Sequence, residues 1–192
     1  MNHSDPYVDP GSGVLLNHLG VTDEALLRQV EAEVSALRDA ELKIRPLPGL
    51  FDLDHLCGFH RRLFGDLYPF AGTPRRVDIA RTARFAHWRY VVPYATSVFD
   101  RLRAEWHLAG LDRDEFLDRF VHYFAEVNAV HPFREGNGRA QRAFFRQMAL
   151  HAGWRVDFAP LDVEKYGEAC RESLSGSTDT LRELFDPIVQ PA

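Results

Sequence analysis

Two breaks set close together, Pro132 and the run Gly136-Asn137-Gly138, interrupt a stretch that reads as helix on both sides. Upstream, Phe116, Phe120, Phe124 and Val127 recur at helical spacing, the pattern of a buried face. Downstream, Gln141, Phe144, Phe145 and Met148 fall on one side of a second helix, with Arg139, Arg142 and Arg146 on the other. His131 precedes the proline directly. The residue before a proline is pushed out of the α region, so His131 stands where the first helix lets go. Gly136, Asn137 and Gly138 tolerate dihedrals that bulky residues avoid, so the backbone can curl and aim successive N–H groups at one spot. A helix starting around Gly138 adds its first amides and its dipole, both of which favour an anion there. Arg139 and Arg142, three apart, share one face beside it. Residues 131–142 therefore read as a phosphate cradle with a histidine next to it.

Charge suits that reading. The formal net charge of −5 argues against non-specific nucleic-acid binding by the whole surface. Yet residues 131–155 carry five arginines against Glu135 alone, while residues 1–42 carry eight acids against two arginines. A local basic patch on an acidic protein fits a small polyanion better than DNA. With 192 residues, one buried domain suffices. Cys57 and Cys170 are isolated and lack metal-ligand spacing, as expected of packing residues in a reducing compartment. The N-terminus lacks a signal pattern and no run reaches transmembrane length, so a cytoplasmic protein without membrane contact is expected.

Along the chain, residues 1–16 mix Pro, Gly, Ser and Asp and are expected to form a loose arm. A helix is expected from Thr22, with Leu26, Leu27, Val30, Val34 and Leu37 as its apolar stripe, stopping before Pro46. Asp52 caps a shorter helix that ends at Gly65. Pro69, Gly72 and Pro74 break helix, and Val77-Asp78-Ile79 alternates among Arg75, Arg76, Arg81, Arg84 and Arg89. A helix over Pro93–His107 places Val98, Leu102 and Trp106 on one stripe, and Asp112 with Glu115 forms a capping box for the next. Two more helical patterns, about 162–174 and 179–186, complete the bundle.

The run His131-Pro132-Phe133-Arg134-Glu135-Gly136-Asn137-Gly138-Arg139-Ala140-Gln141-Arg142 resembles the Fic family signature H-P-F-x-[D/E]-G-N-G-R-x-x-R, with every fixed position filled. Tyr68-Pro69-Phe70-Ala71-Gly72, followed by Arg76, Ile79 and Phe85, is similar to the family's flap region, usually Y-x-W-A-G, with Phe70 in place of the tryptophan. The resemblance covers roughly Asn17 to Phe185. It implies a mainly α fold, a Fic-type helical bundle with a short β-hairpin flap at about 73–90, forming one domain over 17–192. Flap residues Arg76, Val77, Asp78, Ile79 and Ala80 would pair with an extended stretch of a target and present its hydroxyl.

The same resemblance implies transfer of AMP from ATP to a Tyr, Thr or Ser hydroxyl of a target protein. His131 would take the proton of the incoming hydroxyl. Glu135 would hold a Mg²⁺ that bridges phosphates, and Gly136, Asn137 and Gly138 would bind the nucleotide through amide donors. Arg139 and Arg142 would grip the pyrophosphate portion, with Arg142 orienting the γ-phosphate, and Phe133 would be a buried anchor. Two alternatives stay open: another transfer on this scaffold (UMP, phosphate or phosphocholine), or a nucleotide-binding regulator without turnover.

Many Fic proteins carry an inhibitory [S/T]-x-x-x-E-[G/N] helix whose glutamate meets the second motif arginine. The nearest match here is Ser35-Ala36-Leu37-Arg38-Asp39-Ala40, with Asp39 for glutamate. The resemblance thus points to the branch held off by a separate small antitoxin that places a glutamate near Arg142. In toxin-like relatives of that branch the targets include type II topoisomerases.

Overall fold

The computed structural model describes residues 5–79 and 85–192. Its helices are α1 (Glu24–Ile44), α2 (Leu53–Phe64), α3 (Val91–Ala104), α4 (Arg113–Val130), α5 (Asn137–His151), α6 (Val163–Ser173) and α7 (Asp179–Phe185). Four of them start on an aspartate. Asp23, Asp52, Asp112 and Asp162 accept the N–H of the residue three places on at 2.7, 2.8, 3.0 and 2.9 Å. Such caps are worth about 1 kcal/mol each. α5 has no side-chain cap, which leaves its first amides open.

The core lies where α5 packs on α2 and α4. The Phe124 ring meets Phe145 at 5.2 Å and Phe185 at 4.9 Å, and Phe144 meets Phe99 at 5.4 Å. All five are buried. Burial of each ring contributes about 2–3 kcal/mol, with about 1 kcal/mol more from edge-on pairing. The helix ends that flank residues 131–136 are therefore fixed from behind.

Several expectations need correction. Residues 5–16 are not loose: Tyr7 and Val14 are buried, Val8 bridges Leu15, and the Tyr7 ring packs edge-on against Phe70 at 5.0 Å. α1 starts at Asp23 rather than Thr22, and Leu26 and Leu37 of the expected stripe are exposed. Glu31 and Ser35 take buried places instead, because an arginine stands opposite them. Trp106 is exposed as well. Positive φ at Trp106, His107 and Leu108 (52°, 53° and 66°) turns the chain out of α3 before that ring can join the stripe. The bundle does carry a two-stranded antiparallel sheet, but it pairs β1 (Trp154–Val156) with β2 (Val189–Pro191). The described parts of the expected flap, 73–79 and 85–90, contain no strand. Ala80, Arg81 and Arg84 lie outside the described residues.

Candidate active site

α4 ends on His131, whose φ of 47° and ψ of 65° are left-handed. That conformation costs a non-glycine residue on the order of 1 kcal/mol, and Pro132 prevents the helix from continuing past it. The imidazole Nδ1 lies 3.3 Å from the Asn128 carbonyl. A carbonyl only accepts, so Nδ1 carries the hydrogen and Nε2 keeps a bare lone pair. The Phe85 ring stacks on the imidazole at 3.7 Å. Burial pushes the His131 pKa down to about 4, opposed by the Asn128 carbonyl and aided by the Arg75 cation. At neutral pH this side chain is an uncharged acceptor.

Arg75 explains how that strained end is held. Its guanidinium is buried, and Nε donates to the His131 carbonyl at 2.8 Å. The other nitrogens reach the carbonyls of Val77 at 2.8 Å, Val130 at 3.4 Å and Ala86. Its backbone N–H donates to the Pro132 carbonyl at 2.8 Å. A cation at the C-terminus of α4 complements the helix dipole and satisfies carbonyls that the helix leaves bare. In the sequence Arg75 is one of several arginines around Val77-Asp78-Ile79; a residue that serves carbonyls some fifty-five positions away leaves no local signature.

The loop after Pro132 is closed by Asn137. Its Oδ1 accepts the Phe133 N–H at 2.7 Å and its Nδ2 donates to the Phe133 carbonyl at 2.8 Å. The Asn137 side chain is thereby spent inside the loop, and what it offers outward is its backbone amide. Phe133 is buried and stacks on His60 at 3.9 Å. His60 in turn accepts the Gly72 N–H on Nδ1 at 2.8 Å, so its Nε2 hydrogen goes to the Glu135 carbonyl at 2.8 Å. Burial pushes the His60 pKa down to about 4. Gly136 has φ 75°, and a Cβ there would collide with the Phe64 ring. Gly138 is helical; a Cβ on it would lie 3.3 Å from the Arg142 guanidinium.

Around this turn stand the charges. The Glu135 carboxylate, half-exposed, accepts the Gly136 N–H at 2.8 Å and lies 3.7 Å from Arg139. Arg139 is paired with the buried Glu31 of α1, donates to the Ser35 hydroxyl at 3.1 Å, and lies 4.8 Å over the Phe64 ring. Arg146 pairs with Asp39 at 2.8 Å. Arg142 has no carboxylate partner among the described residues; its guanidinium lies 5.4 Å from the Tyr166 ring. All three arginines line a cleft of about 480 Å³ between α1 and α5. Of the flap residues, Arg76 donates its N–H to the Tyr7 hydroxyl at 3.0 Å with its side chain exposed, and Val77 and Ile79 are half-buried. Asp78 accepts the Trp88 N–H at 2.8 Å and faces His87 at 3.2 Å.

The comparisons agree with this geometry. The Fic/DOC family profile matches residues 50–149. Protein adenylyltransferase VbhT of Bartonella schoenbuchensis is 42% identical over 183 residues, which make up 95% of this chain and 38% of that protein. Probable protein adenylyltransferase Fic of Salmonella typhimurium is 38% identical over 189 residues, covering 98% of this chain and 94% of that one. Among solved structures, BepC of Bartonella tribocorum with bound AMPPNP superposes with a TM-score of 0.91 at 26% identity, covering 97% of each chain. The N-terminal Fic domain of a Bartonella quintana effector with bound ADP gives 0.91 at 26% identity, over 96% of this chain and 94% of that one. The profile match over more than half of the chain and these likenesses, on a mainly helical fold, show that the chain belongs to the Fic/DOC family.

Proposed function

We propose that this protein is an adenylyltransferase that moves AMP from ATP to a hydroxyl side chain of another protein. The observation that carries the reading is the His131 Nε2, an acceptor without a hydrogen-bond partner among the described residues, on the loop that leads into the uncapped start of α5. The names of the relatives and the nucleotides bound in the related structures point the same way.

The hydroxyl oxygen attacks the α-phosphorus as its proton passes to His131 Nε2, and the bond to pyrophosphate breaks. A positioned base of this kind contributes about 10²–10⁴ in rate. The amides of Asn137 and Gly138, at the uncapped start of α5, face the charge that grows on the phosphate, and Arg142 supplies a cation that no carboxylate among the described residues neutralises. Glu135 fits a Mg²⁺ site in which phosphate and water supply the remaining ligands, since its carboxylate is half-exposed and keeps lone pairs beyond the Gly136 bond. Among the described residues no group of three His, Cys, Asp or Glu stands close enough to hold a metal by itself. A bound Mg²⁺ would neutralise phosphate charge there.

The wider reading is a cytoplasmic toxin silenced by a separate antitoxin. Two observations support it. Asp39 is engaged by Arg146 and not by Arg142, and the cleft beside Arg142 is open to a partner's glutamate. No helix among the described residues is long and apolar enough to cross a membrane. A type II topoisomerase is the target class that the family resemblance suggests.

The test is incubation of the protein with Mg²⁺, bacterial lysate and ATP labelled at either the α or the γ phosphate. Label from the α position on a protein band is the expected result. Label from the γ position alone would mean phosphate transfer, and neither label despite measurable ATP binding would mean a regulator.

A further inference from the structure

The three arginines on the outer face of α5 are not equivalent. Arg146 is neutralised by Asp39 and Arg142 meets no carboxylate among the described residues, but Arg139 lies between two. The first, Glu31, is buried on α1. One of its oxygens is held by Arg139 and the other by the Tyr68 hydroxyl, so the carboxylate cannot swing away. The second, Glu135, lies 3.7 Å from the same guanidinium. Ser35 takes another of the Arg139 nitrogens at 3.1 Å, and the Phe64 ring lies beneath the guanidinium at 4.8 Å. A polyphosphate that approached Arg139 would meet two negative charges and few unused donors.

We infer that Glu31 is the fixed counter-ion of Arg139, making Arg139 a positioning residue for the Glu135 side of the cradle and leaving Arg142 as the guanidinium that takes the anionic ligand. This rests on the nucleotide reading above, and it divides between two residues a task that the sequence motif assigns to both. The chain of contacts runs from Tyr68 to Glu31 to Arg139 to Glu135, so α1 and the segment after α2 set where the Glu135 carboxylate stands. Burial, and then Glu31, raise the Tyr68 pKa well above the usual tyrosine range, so the hydroxyl stays a donor at any working pH.

Titration of the full chain with ATP in EDTA, by calorimetry, tests the division without the metal. Arg142→Gln should weaken binding by about tenfold or more, the scale of a lost charge-assisted hydrogen bond. Arg139→Gln should change it by less than about twofold while lowering kcat for AMP transfer. Glu31→Gln frees Arg139 for the phosphates, so it should tighten metal-free ATP binding by several-fold and yet lower kcat, a gain in binding with a loss in turnover. A Glu31→Gln/Arg139→Gln pair should lose that gain. Equal losses from Arg139→Gln and Arg142→Gln would overturn the inference, as would unchanged or weaker ATP binding by a folded Glu31→Gln variant. If Glu31→Gln fails to fold, the two arginine variants decide alone. Absence of ATP binding by the unaltered protein would instead remove the nucleotide reading itself.

Discussion

The loop 131–136 and the described parts of 73–90 meet at His131, and both combine ties of their own with ties to distant residues, in different proportion. The loop has close-range ties: Asn137, the first residue of α5, bonds both backbone groups of Phe133, and Glu135 accepts the Gly136 N–H, while His60 adds a distant tie to the Glu135 carbonyl. The segment, for its part, is tied to residues far away in the chain. Arg75 fastens onto the carbonyls that end α4, Ala86 N–H donates to the Ala129 carbonyl at 2.9 Å, and Arg76 N–H reaches Tyr7. On the proposed function the loop carries a base, and a base needs one fixed geometry.

The sharpest way to probe that contrast is His131→Ala. It should lower AMP transfer by at least about a hundredfold while the thermal midpoint, read by circular dichroism, stays put. Retained transfer would remove the base from the loop. Next comes Arg75→Met, which strands the carbonyls of Val77, Val130 and His131; a loss of at least about 3 kcal/mol in urea unfolding is expected. Arg76→Met next door, with its side chain exposed, should stay within about 0.5 kcal/mol. Equal losses would mean that Arg75 is not the pin.

Acid should weaken the same junction. His60, gripping the loop, and His131 both titrate near 4 when folded against an ordinary value of 6.5. Between those values the unfolded chain binds protons that the fold refuses, so stability is complete above about 6.5, drains as pH falls and levels off below about 4. For His60 the loss approaches about 3 kcal/mol, and His60→Asn should flatten its share of the slope in thermal melts from pH 7.5 to 4. Asp78→Ala, which removes an exposed tie within the segment, should cost no more than about 1 kcal/mol. A larger loss would make the segment as rigid as the loop.

How much could be read beforehand follows the same division. The helix caps, the buried face of α4 and the cradle turn were legible because each is made by residues within a few positions of one another. Glu31 and Arg75 were not. Each is a polar residue buried by a partner 108 or 55 positions distant, and nothing nearby announces it. Trp106 misled because periodicity cannot register a left-handed turn formed by non-glycine residues. β1 and β2 are three residues each and are defined by each other, so neither shows an alternation long enough to notice. The sheet pairs 154–156 with 189–191, away from the described parts of the expected flap.

The beginning of the described chain rests directly on the chemistry. Asp5 holds Arg134, the variable position of the motif, at 2.8 Å, and Tyr7 takes the Arg76 N–H. A substitution at Asp5 or Tyr7 would therefore be felt at the motif loop and at Arg76, far along the chain from where it was made.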